Sequence, residues 1–189
     1  MPTTPERTVV TPQRGHATNG PFRTFKPPVV SIVAKSGTGK TTLLEKLLPE
    51  LKGHGLAVGV LKHHSHLSSF DVPGKDTYRL AEAGADVVVG ASPVQVAVFR
   101  RENGSGDLDA VIAQNFAGMD LVLTEGYKRG TYPKIEVHRS ERSDELLCDV
   151  TEMLALVTDQ PWDLPVPQFD LDDVVGLAGF LQHYVGDRR

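Results

Sequence analysis

Nine consecutive residues, Ala34-Lys35-Ser36-Gly37-Thr38-Gly39-Lys40-Thr41-Thr42, concentrate phosphate-binding chemistry in one stretch of the chain. They meet the pattern G-x-x-x-x-G-K-[ST] at Gly39, Lys40 and Thr41, with Ala34 standing where the pattern has its first glycine. In such a loop Gly37 and Gly39 let backbone N–H groups turn inward, flanked by Ser36, Thr38 and Thr42. The following helix adds partial positive charge, Lys40 reaches the β and γ phosphates, and Thr41 offers a hydroxyl to Mg²⁺. Ala34 suits the loop if its φ is negative. The competing reading is a glycine turn leading into a helix capped by Thr41.

Two further constellations follow. The first runs Lys62-His63-His64-Ser65-His66, then Phe70-Asp71-Val72-Pro73-Gly74-Lys75-Asp76-Thr77. Three histidines in four residues could ligate zinc, but neither Cys148 nor the other histidines complete a ligand spacing. In a parallel α/β sheet this segment leaves the edge where ligands bind, so Lys62, His63 and Lys75 can face phosphates. Asp71 and Asp76 are its candidate catalytic carboxylates, placed to orient an attacking water or hold a metal-bound one. Asp76 reads equally well as the N-cap of the helix beginning Thr77-Tyr78-Arg79-Leu80. The second constellation is Asp120-Leu121-Val122-Leu123-Thr124-Glu125-Gly126-Tyr127-Lys128, an apolar strand ending in a carboxylate. That is the layout of a Walker B strand, whose acid meets the Mg²⁺ water shell. Thr41, Glu125 and Asp76 are therefore the expected metal ligands. Gly126 permits a sharp turn, and Lys128, Arg129 and Lys134 add cations suited to a phosphorylated ligand.

These groups need a frame. Val29 to Val33 reads as a buried strand, and Leu43, Leu44, Leu47, Leu48 and Leu51 repeat at helical spacing until Gly53 and Gly55. Pro49 lacks a backbone donor and predicts a kink or an early last turn there. Downstream, strands are expected at Ala57–Lys62, Asp86–Val89, Val94–Arg100, Leu121–Thr124, Lys134–His138 and Leu154–Thr158, with helices over 76–83, 107–118 and from Leu171 to about Val185. Strands alternating with helices predict a three-layer α/β P-loop NTPase fold with a mostly parallel sheet, Val94–Arg100 adding an antiparallel element.

Composition limits the alternatives. The chain has 189 residues, 40% hydrophobic and 23% charged, which suits one globular domain. No apolar run is long enough to span a bilayer, and no secretory signal pattern appears near the start, so a cytoplasmic protein without membrane association is expected. Residues 1–28 hold six of the 13 prolines and read as a disordered tail carrying a charge of +3, leaving 29–189 as the nucleotide-binding domain. Residues 29–138 are charge-balanced and 139–189 carry −7, so no basic footprint for nucleic acid is present.

Three blocks together resemble the MobB family of molybdopterin-guanine dinucleotide biosynthesis proteins, over Val29 to about Arg139. They are Ser36-Gly37-Thr38-Gly39-Lys40-Thr41-Thr42-Leu43-Leu44; then Lys62-His63 with Gly74-Lys75-Asp76 and Ala83-Gly84-Ala85; then Glu125-Gly126-Tyr127-Lys128 with Pro133-Lys134-Ile135-Glu136-Val137. The resemblance implies a cytoplasmic homodimer that binds GTP and Mg²⁺, hydrolyses slowly, and assists the guanylyltransferase MobA that joins GMP to molybdopterin, with molybdopterin itself a candidate ligand. Lys35 is either solvated or, as in some dimeric P-loop ATPases, directed across a subunit interface. Asp159, after the last strand, is a candidate acceptor for guanine N1 and N2 donors or a loop cap; no Asn-Lys-x-Asp element is present. A small-molecule kinase and a nickel-insertion GTPase are the alternatives on the same loop. The paired arginines, Arg100-Arg101 and Arg188-Arg189, are not placed as a kinase lid.

Overall fold

The run Val29–Val33 is apolar except for Ser31 and forms strand β1, buried on both faces as a central parallel strand must be. The computed structural model describes residues 26–64, 69–101 and 107–188. Strand β1 leads through the glycine loop into helix α1 (Lys40–Gly53), which buries Leu43, Leu44, Leu47 and Leu51. Pro49 does not end it early: the helix runs four residues further and closes with the His54 N–H on Glu50 O. Strand β2 (Val58–Lys62), helix α2 (Asp76–Glu82), strands β3 (Val87–Ala91) and β4 (Val96–Arg100), and helix α3 (Leu108–Asn115) follow. Next come β5 (Leu121–Glu125), β6 (Lys134–His138), a 3₁₀ turn at Val150–Glu152, β7 (Met153–Thr158), β8 (Gln168–Phe169) and α4 (Val174–Gly186). The 3₁₀ turn and the two-residue β8 carry no periodic signal that sequence reading could detect.

Six strands make one sheet in the order β2-β5-β1-β6-β7-β8, and every pairing in it is parallel. Helices α1 and α4 cover one face through a core that includes Val30, Ile32, Leu47, Leu123, Ile135, Val137, Leu177 and Leu181. Helix α3 covers the other face over Val29, Leu61, Ile112 and Val122. Helix, sheet and helix are the three expected layers. The antiparallel element pairs differently from a strand added to that sheet: β4 pairs with β3 alone, in a separate two-stranded ribbon. One face of this ribbon carries Gly90, which lies against Thr77 of α2, together with the buried Val88. Its other face leaves Val87, Val89, Val96 and Val98 exposed.

Residues 1–25 lie outside the described residues. Lys26, Pro27 and Pro28 join the folded domain: Lys26 pairs with Asp109, Pro27 is buried, and Pro28 O accepts from the Val122 N–H at 2.9 Å.

Candidate functional site

Alternation along the strands decides which side chains meet. Leu123 and Ile32 point into the α1 side of the core, so Glu125, two residues after Leu123 and in register with Ile32, projects on that same side at the C-terminal edge. There Thr41, in the first turn of α1, donates its hydroxyl to Glu125 Oε1 at 2.7 Å. Lys62 is in register with Glu125 and brings Nζ to 3.4 Å from it. Glu125 is only 13% exposed, so its charge is poorly screened. Lys40 completes the group. Burial is the main cause holding its ammonium below the ordinary lysine pKa, the charges of Lys128 and Lys62 act in the same direction, and Glu125 opposes them. The site therefore holds three lysines around one carboxylate, an excess of positive charge that suits a polyanion.

The loop itself has the expected backbone. Gly37 and Gly39 take φ of 76° and 103°, the left-handed region that favours glycine. Ala34 is not among the positive-φ residues; it is fully buried in the core, so its methyl replaces the pattern's first glycine without backbone cost. Thr41 is not the N-cap: Gly39 holds that position, with no side-chain cap. Ser36 and Thr42 are exposed at the loop, and Thr38 is buried with its hydroxyl on Lys35 O at 2.8 Å. After Glu125 the chain turns sharply at Gly126 and Tyr127, with φ of 95° and 59°, and a Cβ on Gly126 would stand 3.2 Å from His63 O. His63 is held beside this turn by its N–H on Glu125 O and by its ring against Tyr127.

Other expected site residues are placed elsewhere. Lys134 begins β6 in register with Ser31, two positions short of the edge where the glycine loop starts. It is 1% exposed and its ammonium is engaged by Gly130 O at 2.9 Å and Glu152 at 3.1 Å. Asp71 Oδ1 accepts from the Val72 N–H and the Thr77 hydroxyl, closing its own loop. Asp76 is 93% exposed and pairs with Arg79, so it is not brought to Thr41 as a metal ligand. Lys75, not Asp76, occupies the N-cap of α2. Asp159 takes the loop-cap alternative: it accepts from the Ser140 N–H at 2.9 Å and from the Ser140 hydroxyl, and that backbone hydrogen bond chiefly holds its carboxyl below the ordinary range. His66 lies outside the described residues. Among the described residues no group of three or more His, Cys, Asp or Glu is arranged to hold a metal.

Two residues at the glycine loop went unread in the sequence. Arg139 donates Nε to Thr38 O at 2.9 Å, and the Arg142 guanidinium carbon lies 3.9 Å from where a Cβ on Gly37 would be. Lys35 reaches the same turn, donating to the Ser143 hydroxyl of its own chain. The signal was available: Ile135 and Val137 face α1, and the next residue of that parity is Arg139.

The family model for molybdopterin guanine dinucleotide synthesis protein B, MobB, matches residues 29–159. The chain belongs to the MobB family. The match takes in the glycine loop, Glu125 and the Arg139 turn, and ends at Asp159. The MobB relative from Escherichia coli K12, a molybdopterin-guanine dinucleotide biosynthesis adapter protein, is 37% identical over 164 residues, 84% of this chain and 93% of its own. One from Haemophilus influenzae with the same name is 36% identical over 160 residues, 84% and 89% of the two chains. A crystal structure of molybdopterin-guanine biosynthesis protein B superposes with a TM-score of 0.69 at 32% identity, covering 83% of this chain and 98% of that one. The shared MobB architecture is a P-loop NTPase fold.

Proposed function

We propose that this chain is a GTP-binding adaptor in the formation of molybdopterin guanine dinucleotide, assisting the guanylyltransferase MobA. The observation that carries the nucleotide part is the Thr41–Glu125 hydrogen bond at 2.7 Å beside Lys40. A hydroxyl and a carboxylate are the hard oxygen donors that Mg²⁺ prefers, and the inward-turned loop with Lys40, Lys62 and Lys128 suits a triphosphate. Bound there, Mg²⁺ would neutralise charge on the β and γ phosphate oxygens. Lys40 binds the phosphates, Lys62 orients Glu125, and Glu125 holds Thr41 in place.

Slow hydrolysis is part of this reading through the family; the two carboxylates weighed for positioning a water are engaged elsewhere, Asp71 by the Val72 N–H and the Thr77 hydroxyl and Asp76 by Arg79. Base preference rests on the family rather than on Asp159, whose carboxylate is already engaged. The reading places the protein in the cytoplasm, where GTP and MobA would meet it; no helix among the described residues is long and apolar enough to cross a membrane. It also makes the protein a homodimer, and the exposed valine face of the β3–β4 ribbon is the kind of apolar surface a second copy would cover. Molybdopterin is the second ligand to test.

The deciding experiment titrates the purified chain with labelled GTP and ATP, with and without Mg²⁺, and then measures GMP transfer by the guanylyltransferase in its presence. Mg²⁺-dependent GTP binding with stimulated transfer is expected. Rapid phosphate transfer to a small acceptor, at about 1–100 per second, would make it a kinase instead.

A further inference from the structure

In a trans peptide the C=O and N–H point in opposite directions. The peptide joining Thr38 to Gly39 is gripped at its carbonyl end, where Arg139 Nε donates at 2.9 Å. Arg139 Nη2 also lies 3.8 Å from where a Cβ on Gly39 would stand. The Gly39 N–H is thereby turned away from Arg139. Gly39 sits at φ 103° immediately before α1, a shallow and glycine-specific conformation that the peptide could leave at little steric cost if nothing held it.

We propose that Arg139 is a positioning residue of the phosphate cradle, fixing the Thr38–Gly39 peptide so that its N–H faces the bound phosphates. The proposal rests on the nucleotide-binding reading above and adds a residue to it. The turn that Arg139 opens is tied down on every side. Arg139 O accepts from the N–H groups of Arg142 and Ser143, the Ser140 N–H goes to Asp159, and His138 Nε2 lies 2.8 Å from Ser143 O. Lys35, from the glycine loop itself, reaches Ser143. A turn held by β6, by the end of β7 and by the loop cannot move without disturbing the cradle. It also sets Arg142 against Gly37, with its guanidinium paired only weakly to the exposed Glu141 at 3.6 Å and so open to a phosphate.

The test uses the full chain with Arg139→Ala, Arg139→Lys and Lys40→Ala, titrated with GTP and GDP, with the Gly39 amide resonance followed by NMR. Losing one charge-assisted hydrogen bond and the peptide orientation it fixes predicts that Arg139→Ala weakens both nucleotides about 10–100-fold and lowers the melting temperature by a few degrees. Arg139→Lys, which keeps a donor for the carbonyl, recovers most of the loss. The nucleotide-induced shift of the Gly39 amide should be present in the parent and in Arg139→Lys and absent in Arg139→Ala. Parental affinity and a parental Gly39 shift in Arg139→Ala, with Lys40→Ala impaired, would overturn the positioning role and leave the P-loop reading standing. Failure of the parent chain to bind either nucleotide would overturn both.

Discussion

Strand β1 has two neighbours in the sheet, β5 and β6, and each brings it a glutamate: Lys62 pairs with Glu125, and Lys134 stands two residues from Glu136 on β6 while its ammonium pairs with Glu152. Glu125 of β5 projects on the α1 side at the strand end, one hydrogen bond from Thr41. Glu136 of β6 has the opposite parity and lies on the other face, 2% exposed, accepting the N–H groups of Leu147 and Cys148 at 2.7 and 2.8 Å. It stands in a buried polar row with Ser31, Thr124, Lys134 and His138, whose members are bonded to one another or to covering loops. Burial pushes the Cys148 thiol up to about 12, with Glu136 adding to the effect, so this region holds no reactive thiolate at neutral pH. The residue types on the two sides of β1 match. One set closes loops, and the other stands at a strand end beside the glycine loop, where a ligand of that loop would meet it.

The contrast is broken most forcefully at its structural side. Glu136→Ala frees two half-buried backbone N–H groups and should cost about 2 kcal/mol in urea or thermal unfolding, at roughly 1 kcal/mol for each lost hydrogen bond where water can partly replace the acceptor. Nucleotide affinity of the folded fraction should not change. Lys40→Ala should do the reverse, weakening GTP binding about 100-fold in calorimetry while the melting temperature holds, because it removes a phosphate cation and no core contact. Glu125→Gln, tested alongside, should keep nucleotide binding and lose its Mg²⁺ dependence. An effect of Glu136→Ala on affinity, or of Lys40→Ala on stability, would mean that the two sides are not separate.

Acidity offers a finer comparison. The Lys40 pKa lies below its ordinary 10.5, so GTP affinity should fall as pH rises through a value lower than a free lysine's. For stability the sign is opposite: a depressed lysine is less protonated folded than unfolded, so this group adds stability as pH rises from its folded pKa to 10.5. Lys128→Gln removes a neighbouring charge and should move the fall in affinity to higher pH, readable in binding titrations from pH 7 upward. The smallest effect is expected at the N-terminus. Deleting residues 1–25 should change the melting temperature and GTP affinity within error. Deleting 1–28 should lower the melting temperature by a few degrees, because it also removes the Pro28 acceptor of the Val122 N–H and the Lys26–Asp109 pair.

What the sequence determined by itself is local. The glycine spacing of Gly37 and Gly39, the apolar run before them and the leucine period after them specify strand, loop and helix, because each signal acts within a few residues. Glu125 was legible for the same reason, as a carboxylate closing an apolar run. The tertiary structure decided which strands stand beside β1 and in what register, and that depends on pairings between residues far apart in the chain. Placing β5 alongside brought Glu125 to Thr41 across 84 positions. Placing β6 on the other side set Lys134 opposite Ser31, below the edge, where an ammonium is reached by Gly130 O and Glu152 but not by a ligand. The same register carried Arg139 up to Thr38. Lysines 62 and 134 read alike in sequence, and the height of each along its strand separates the one at the site from the one in the core.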